Sequence, residues 1–474
     1  MSFKFRSLAV AIAAISSALT ANAAGLDRST QPSWAFTQDG TFAYIEHITI
    51  DPDVSGKDNA EFPPKKDSFT PGRDVPNMAQ DYNFLNFGAK ADVNDRVSIG
   101  AFFDQPWGAD VQYTGTNDFV GAPTTVIAGI NGQVYAGATQ LAQAIDTNAP
   151  AVTKADQLNE TIDSAEKTIK YLNSVGQTST ATALQQGLDT LVASSQRANS
   201  ATSQLAQVTG GTNVEIESQN FTGLIGVKLG QNKNIQVYGG PVLQKINGEI
   251  HLRGDAYQQV SGYDANIPSN TDYGWMAGVA YSKPEIALKA SLTYRSEIDH
   301  DLDLGESLPA AGIKQTNKVT VTTPKSVNLD FQTGINPTTL LTAKARWVPW
   351  SDFALKPKVY GDLSGTNLVS YDDDAWTAEL GLGKKLSDKW AVSGAVGWDS
   401  GAGNPVTSLG PVEGNWNVGL GAKYNLTPEW AVSGGVKYLM FGDAKAKIPT
   451  GALVGDFNDN DGWVYGLRLS YQKK

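Results

Sequence analysis

Alternating apolar and polar residues recur in short segments along most of this chain. One segment has its apolar positions at Trp416, Val418, Leu420, Ala422 and Tyr424. Similar segments begin at Ile286, Trp376 and Trp463. Because successive side chains of a β-strand point to opposite faces, this period of two predicts strands that each have one apolar face. The chain is therefore predicted to be all-β over most of its length.

The connections between these segments alternate between short and long. Short turns are predicted at 93–96, 231–234, 282–285, 336–339, 386–389 and 425–429. Long connections are predicted near 52–79, 105–213, 253–271, 304–324, 351–374, 401–412 and 444–459. Membrane barrels of bacteria combine short periplasmic turns with long external loops. Six turns and seven loops require 14 strands, an even number that leaves both chain ends at the same rim.

Aromatic residues distinguish a membrane barrel from a soluble β-sandwich. They lie on the apolar side near predicted strand ends, at Trp390, Trp398, Trp416, Tyr424, Trp430, Tyr438, Trp463 and Tyr471. Girdles of this kind mark the two boundaries between lipid and water. The opposite side is rich in Gly, Ser, Thr and charged residues, as a wet lumen requires. These patterns predict a 14-stranded antiparallel transmembrane β-barrel.

One predicted strand departs from simple alternation. Between residues 214 and 229 the apolar positions change parity, from Val214 and Ile216 to Phe221 and Ile225. A single extra residue in a strand turns the following side chains to the other face. We interpret the change as a β-bulge near Gln219-Asn220.

Residues 133–208 do not have the β pattern. Their apolar residues form two stripes at helical spacing, separated by Gly176: Leu158, Ile162, Ala165, Ile169 and Leu172, then Leu184, Leu188, Leu191 and Leu205. Spacings of three and four predict two antiparallel helices. This helical insert falls in a long external connection, so it is expected outside the cell. A mobile spacer is the alternative interpretation.

The N-terminus and the composition indicate export. Residues 1–23 contain Lys4 and Arg6, an apolar run at 8–19 and a small-x-small site at 21–23, the three parts of a cleaved signal peptide. Its removal would change the net charge from −11 to −13, which argues against nucleic-acid binding. The absence of Cys suits an oxidising compartment. The predicted location is the outer membrane, crossed many times by strands.

The order and number of these segments resemble the FadL/TodX family of outer-membrane transporters of long-chain fatty acids and hydrocarbons. The resemblance covers nearly the whole mature chain except the insert. It rests on 293–297 (Thr-Tyr-Arg-Ser-Glu), 93–101, 415–424, 430–441 and 461–471. It implies a 14-stranded barrel, in agreement with the independent strand count. It also implies transport of hydrophobic compounds across the outer membrane.

The resemblance further implies that cargo leaves sideways, through a gap made by an inward kink in the third strand. The matching stretch is 103–110, and the kink residues are Pro106, Trp107 and Gly108. Pro106 cannot donate a ladder hydrogen bond, and Gly108 tolerates strained dihedral angles. The alternative interpretation is a strand that simply ends at the external rim.

Family members usually carry an N-terminal hatch inside the barrel, with an Asn-Pro-Ala motif. Here only residues 24–40 precede the barrel domain, 41–474, and the motif is missing. The predicted hatch is therefore short. Trp34 and Phe36 are its candidates for reaching into the lumen.

Parity places several cations in the lumen, where they are candidates for binding the headgroup of an anionic cargo beside an apolar pocket. Arg295 and Glu297 are predicted to share the luminal face, as are Lys344 and Arg346. The alternative is a ladder of charges that only satisfy one another. The sequence does not distinguish which cation would bind a ligand.

Other functions are weighed against transport of hydrophobic cargo. A general diffusion porin for small solutes is the main alternative, and a third-strand kink would distinguish the two. The chain has three His residues and no nucleophile motif, so no enzyme activity is expected. We predict no cofactor and no metal. The expected partners are a hydrophobic small molecule, outer-membrane lipid and lipopolysaccharide, and the protein is expected to be a monomer that binds no nucleic acid.

Overall fold

The computed structural model describes residues 26–28, 31–121, 123–205 and 210–473. The predicted signal peptide, 1–23, lies outside the described residues. Within the described ranges no helix is both long enough and apolar enough to cross a bilayer.

Fourteen antiparallel strands in the described residues form one closed wall, because the first strand pairs with both the second and the last. The predicted 14-stranded barrel is thus confirmed. In chain order the strands are β1 (Thr41–Asp53), β2 (Tyr82–Asp92), β3 (Val97–Asp104 and Gly108–Gln112), β4 (Asn213–Leu229), β5 (Ile235–His251), β6 (Asp264–Lys283), β7 (Leu288–Arg295 and Ile298–Leu308), β8 (Ile313–Thr323 and Ser326–Asn336), β9 (Thr339–Val348), β10 (Ala375–Lys385), β11 (Trp390–Asp399), β12 (Glu413–Asn425), β13 (Trp430–Gly442) and β14 (Asp461–Lys473).

The outer face of the wall is apolar. Leu380, Leu420 and Leu467 are 58%, 64% and 60% exposed, as lipid-facing residues of a barrel must be. Several charged residues of the strands point inward and are paired. The Arg468 guanidinium lies 2.5 Å from Glu46 Oε1, and both side chains are almost fully buried. Alternation along each strand thus separates a lipid face from a polar lumen.

The bulge predicted near Gln219-Asn220 is wrong. β4 is uninterrupted, and its even-numbered residues face the interior along its whole length. The apolar positions change parity for another reason. Val214 and Ile216 line an apolar cavity inside the barrel, whereas Phe221 and Ile225 face outward.

The connection predicted near 304–324 is also mostly strand. β7 continues to Leu308 and β8 begins at Ile313, so the long loop expected there is replaced by a short turn. The alternating Thr and Val residues at 319–323 carry the signal for this extension.

The helices are α1 (Ser33–Phe36), α2 (Pro123–Ile145), α3 (Ala155–Ser174), α4 (Thr178–Leu205) and α5 (Lys358–Ser364). Residues 121–210 and 307–314 form a compact unit of their own, and α2, α3 and α4 pack together within it. The helical insert therefore has three helices rather than the predicted two. The prediction missed α2 because Gly129, Gly132 and Gly137 lower its helix propensity.

Several connections at the long-loop rim have regular structure of their own. A five-stranded sheet is formed by Val406–Thr407, Ala444–Lys447, Leu453–Phe457, Gly56–Asn59 and Pro71–Val75. Ala354–Leu355 pairs with Val369–Ser370, and short strands occur at Val120–Gly121 and Gly210–Gly211. Single turns of 3₁₀ helix occur at Pro309–Ala311 and Trp350–Asp352, and at the short-turn rim at Pro284–Ile286. Asp255–Val260 is two such turns divided by a kink at Gln258.

Candidate functional site

The wall is not fully paired between β2 and β3. Toward the short-turn rim the two strands pair as far as Phe87 opposite Phe103. Toward the long-loop rim, pairing resumes with an isolated bridge at Val111. Between these points, residues 82–86 of β2 have no ladder pairing with residues 104–110, where β3 is interrupted. We call this unpaired stretch the wall gap.

The other edge of β3 remains attached to β4. Asp104 lies opposite Asn220, and Gly108 lies opposite Glu217. Three β3 residues therefore face two β4 residues, so one residue of β3 is extra at the break. An extra residue bends the strand that contains it. The bend explains why β3 leaves β2 here while it keeps its contact with β4.

An apolar cavity of about 60 Å³ lies inside the barrel next to this break. Among the described residues that line it, Glu217 is the one charged residue, and its outward parity in β4 points its side chain away from the cavity. The apolar lining comes from the N-terminal segment, from the strands and from the long loops: Leu26, Trp107, Ala109, Val214, Ile216, Ile246, Ile250, Ile267, Val321, Trp350, Phe353, Leu355, Val369, Tyr371 and Leu409.

Trp107, one of the predicted kink residues, forms part of the cavity wall. Its indole packs edge-on against Trp350, with 5.4 Å between ring centroids. Its backbone N–H donates to Ser218 Oγ over 2.7 Å, and Ser218 Oγ donates to its carbonyl over 2.7 Å. The Ser218 hydroxyl therefore replaces a ladder contact at the break and holds Trp107 in place.

The N-terminal segment supplies β3 with the backbone partner that β2 does not. The Arg28 N–H donates to the Pro106 carbonyl over 2.8 Å, and the Gly108 N–H donates to the Leu26 carbonyl over 2.8 Å. Asp27 and Trp107 are thereby paired as antiparallel strand residues. A short piece of the N-terminal segment thus occupies the edge of β3 that faces the wall gap.

Gly108 serves a purpose different from the one expected. Its φ is not positive, so the backbone does not require glycine for its dihedral angles. Instead, a Cβ at this position would lie 2.6 Å from Arg28 Nε and closer still to Cζ. Gly108 is needed because the Arg28 guanidinium rests directly against the β3 backbone.

Beyond the gap, the N-terminal segment crosses the lumen. Asp27 Oδ2 accepts a hydrogen bond from Arg346 Nε in β9 over 2.8 Å, and both side chains are buried. Trp34 lies under the Arg468 guanidinium, 4.3 Å from Cζ to the ring centroid. Phe36 is fully buried against Tyr238, with ring centroids 5.3 Å apart. Both predicted hatch residues therefore lie inside the barrel, on α1.

The predicted luminal cations lie in two groups. Arg295 and Arg346 both face the Trp107 ring, with Cζ at 5.7 and 5.4 Å from its centroid. Lys344 lies farther along the lumen, 3.8 Å from Glu379 Oε1. The prediction that Glu297 shares the luminal face with Arg295 is wrong.

β7 is interrupted between Arg295 and Ile298, which reverses the parity of the residues that follow. Glu297 is therefore exposed and lies 3.7 Å from Lys325. No residue pattern marks this interruption, because residues 293–297 contain neither Pro nor Gly.

A charged cluster links three connections at the long-loop rim. Arg73 Nη2 lies 2.9 Å from Asp58 Oδ2 and also contacts Asp118. Burial, and then the charge of Asp58, raise the pKa of the Asp118 carboxyl to about 6, although Arg73 opposes the shift. The backbone carbonyl of Asp118 accepts a hydrogen bond from the Ala256 N–H over 2.9 Å. The cluster holds the ordered loops above the cavity together.

The fold is similar to that of solved outer-membrane proteins. A FadL homologue of Pseudomonas aeruginosa has a TM-score of 0.60 at 14% identity, covering 98% of this chain and 97% of its own. The toluene transporter TodX of P. putida has a TM-score of 0.52 at 9% identity, covering 97% and 98%. The toluene transporter TbuX of Ralstonia pickettii has a TM-score of 0.50 at 11% identity, covering 97% and 98%.

Sequence comparison gives the family. No curated protein matches the chain. The profile described as outer membrane protein transport protein (OMPP1/FadL/TodX) matches residues 199–472, more than half of the sequence. The family consists of transport proteins, and the matched region includes eleven of the fourteen barrel strands described here. This chain belongs to the OMPP1/FadL/TodX family of outer-membrane transport proteins.

Proposed function

We propose that this protein transports hydrophobic compounds across the outer membrane and releases them sideways into the lipid through the wall gap. The apolar cavity beside the gap is the observation that carries the proposal. A hydrophobic molecule gains about 25 cal/mol for each Å² of apolar surface that it removes from water. The cavity offers such a molecule a site next to the gap.

The position of the cavity supports sideways release. Trp107 belongs both to the cavity lining and to the interrupted part of β3. On the lipid side of the gap, Leu85 and Phe87 of β2 expose 43% and 42% of their surface. A cargo molecule that leaves through the gap therefore passes from an apolar cavity to an apolar surface. Release into the periplasm would instead take it past the buried charges Lys344, Glu379 and Lys437.

We further propose that the preferred cargo is uncharged. Among the described residues that line the cavity only Glu217 is charged, and its outward parity in β4 points its side chain away from the cavity. Of the two nearby cations, Arg346 already pairs with Asp27, and Arg295 interacts with the charge of Asp104. A carboxylate in the cavity would lose its hydration without gaining a cation, which is costly. Hydrocarbons satisfy the lining better than fatty acids do, and TodX and TbuX are described as toluene transporters.

The general diffusion porin remains the second candidate, but one feature argues against it. A porin needs an open aqueous lumen. Here α1 and the residues around it cross the lumen, and Phe36 packs against both Phe102 and Tyr238. These aromatic contacts lie where a polar solute would have to pass.

The experiment that tests transport fills the cavity and compares the result with a matched change on the lipid face. Val214 lines the cavity, and Ile225 of the same strand faces lipid. Uptake of labelled naphthalene is measured in cells that lack other hydrocarbon transporters and produce the wild type, Val214→Trp or Ile225→Trp. We expect Val214→Trp to reduce uptake to the level of cells without the protein and Ile225→Trp to retain it.

Equal uptake by both variants would contradict a route through the cavity. Swelling of proteoliposomes in sugar solutions distinguishes a diffusion porin from the proposed transporter, because a porin admits sugars and the transporter does not. Rapid swelling with the wild type would favour the porin.

A further inference from the structure

Arg28 is the only charged side chain of the N-terminal segment that reaches the wall gap in the described residues. Its guanidinium stacks on the Tyr82 ring of β2, with Cζ 4.0 Å from the centroid, and lies 6.0 Å from that of Phe84. On its other side it touches the backbone of Gly108 in β3. Arg28 therefore bridges the two strands whose ladder is interrupted.

The direction of these contacts shows on which side of β3 the guanidinium lies. Ala109 lines the cavity, so the neighbouring Gly108 presents its Cα hydrogens to the opposite face. Tyr82 is on the inward-facing parity of β2, together with the buried Phe84. A group that touches the outer face of β3 and the inner face of β2 lies between the two strands. Arg28 thus occupies the wall gap itself.

The charges around this position hold a cation. Asp110 of β3 and Glu217 of β4 both attract Arg28. A guanidinium over an aromatic ring is a further favourable contact. Together with the two backbone hydrogen bonds to Pro106 and Gly108, these contacts fasten the segment across the gap.

The position is nevertheless incompletely satisfied. Arg28 Nε and Nη2 are shielded from solvent and have no hydrogen-bond partner. A buried donor without a partner costs free energy, so the side chain gains hydrogen bonds to water when it leaves the gap. Arg28 is therefore held firmly enough to close the gap and weakly enough to leave it.

We propose that Arg28 closes the lateral route: its side chain fills the wall gap, and cargo passes only when this side chain and the backbone beside it move away. The inference rests on the proposed function for its biological meaning. Its structural part, that Arg28 holds the segment in the gap, stands independently. An uncharged cargo has no means of replacing the Asp110 and Glu217 contacts, so opening depends on thermal release of the segment rather than on competition for the cation.

The test compares Arg28→Met, which keeps length and removes charge, with Arg28→Lys, which keeps charge. Arg96→Met, in an exposed short turn, is the control for loss of a positive charge elsewhere. Hydrogen exchange of the Gly108 amide in lipid nanodiscs measures how often the N-terminal segment leaves β3, because this amide donates to the Leu26 carbonyl of the segment. We expect exchange about fivefold faster in Arg28→Met, the factor that a lost cation–π contact supplies, and near wild-type rates in the other two.

Cargo movement is measured in the same variants as uptake of labelled naphthalene by cells. Faster exchange together with faster uptake in Arg28→Met supports the proposal. Unchanged exchange of the Gly108 amide overturns it, and so does slower uptake with unchanged exchange. If Arg28→Met exchanges faster but the wild-type protein takes up no naphthalene, Arg28 still closes the gap and the proposed transport function is refuted.

A second variant guards against a folding defect in Arg28→Met. Tyr82→Leu removes the ring on the other side of the guanidinium and leaves Arg28 intact. Because the Tyr82 hydroxyl also hydrogen-bonds to the backbone of Asp110, Tyr82→Phe is its control. The proposal requires that Tyr82→Leu accelerates exchange at Gly108 more than Tyr82→Phe does. Normal exchange in Tyr82→Leu would show that the stacking does not hold the segment.

Discussion

Replacing Gly108 by Ala should open the wall gap without disturbing β3. The added Cβ would lie 2.6 Å from Arg28 Nε, far inside the 3.5–4.0 Å at which such atoms normally rest. Because the methyl group is fixed to the strand, the guanidinium has to move. The φ of Gly108 is not positive, so alanine itself fits the strand.

The size of the effect follows from the contacts that Arg28 loses. The stacking on Tyr82 is worth about 0.5–2 kcal/mol. The two backbone hydrogen bonds of the segment do not involve the guanidinium and are retained. A loss of about 0.5–2 kcal/mol multiplies the population of the released segment by about 2 to 30, because 1.4 kcal/mol corresponds to a factor of ten.

Hydrogen exchange of a peptide that covers residues 105–110 measures this population. Gly223→Ala is the matched control, because a Cβ there meets nothing within 4 Å in the adjacent strand β4. We expect faster exchange in Gly108→Ala and wild-type exchange in the control. In an Arg28→Ala background, Gly108→Ala should add nothing, since the clashing group is gone. Wild-type exchange in Gly108→Ala, or a full additional effect in that background, would refute the reasoning.

Three further predictions follow from the cavity, the buried ion pair and the loop cluster. Naphthalene should bind the purified protein at least about tenfold more tightly than 1-naphthoate, because burying a carboxylate that gains no cation costs free energy. Quenching of tryptophan fluorescence measures both affinities, and equal affinities would contradict an uncharged cargo. Arg346→Met should destabilise the barrel to denaturant by about 3–5 kcal/mol because it removes the guanidinium that pairs with the buried Asp27 carboxylate, and adding Asp27→Leu should restore much of the loss. A single variant as stable as the wild type would show that the pair is unimportant. The pKa of the Asp118 carboxyl is raised to about 6 in the folded protein, so between pH 4 and 6 the folded protein binds more protons there than the unfolded chain does. The free energy of unfolding of the wild type, relative to that of Asp118→Asn, should therefore fall as the pH rises. A constant difference would argue against the raised pKa.

Much of the barrel follows from the sequence because its determinants are local. Alternation, turn residues and aromatic positions each depend on a few neighbouring residues, and together they predict 14 strands with short turns at one rim. Pro106 likewise marks the interruption of β3 through a property of the residue itself, its missing N–H. The use of this break for lateral exit stays a prediction.

The apolar cavity was missed although the sequence contains a trace of it. The rule that apolar residues face lipid and polar residues face the lumen fails where the interior of the barrel is apolar. Around the cavity Val214 and Ile216 point inward, and in β5 so do Ile246 and Ile250. A change of parity without a bulge signals such an interior, whereas the alternation rule alone predicts a bulge. The contributions of loop residues such as Trp350 depend on tertiary packing that no local pattern contains.

Arg28 was missed for a related reason. Its partners Gly108 and Tyr82 lie far away in sequence, and nothing around residue 28 marks it as part of the wall. Glu297 was misplaced because a break two residues earlier reverses the parity on which its orientation was predicted. Parity predicts orientation only as far as the next interruption of the strand.

The central claim is that cargo leaves between β2 and β3, and a crosslink across the wall gap tests it most directly. The chain has no Cys, so introduced pairs react without background. Leu85 and Gln105 lie on opposite sides of the gap, where the Leu85 N–H donates to Gln105 Oε1 over 3.2 Å. Ala89 and Ala101 form a paired position in the same two strands outside the gap.

Uptake of naphthalene is measured in cells that carry each double Cys variant, before and after treatment with a short thiol crosslinker. The account predicts that crosslinking Leu85→Cys/Gln105→Cys abolishes uptake, whereas crosslinking Ala89→Cys/Ala101→Cys leaves it unchanged. Full uptake with the gap crosslinked would contradict lateral exit.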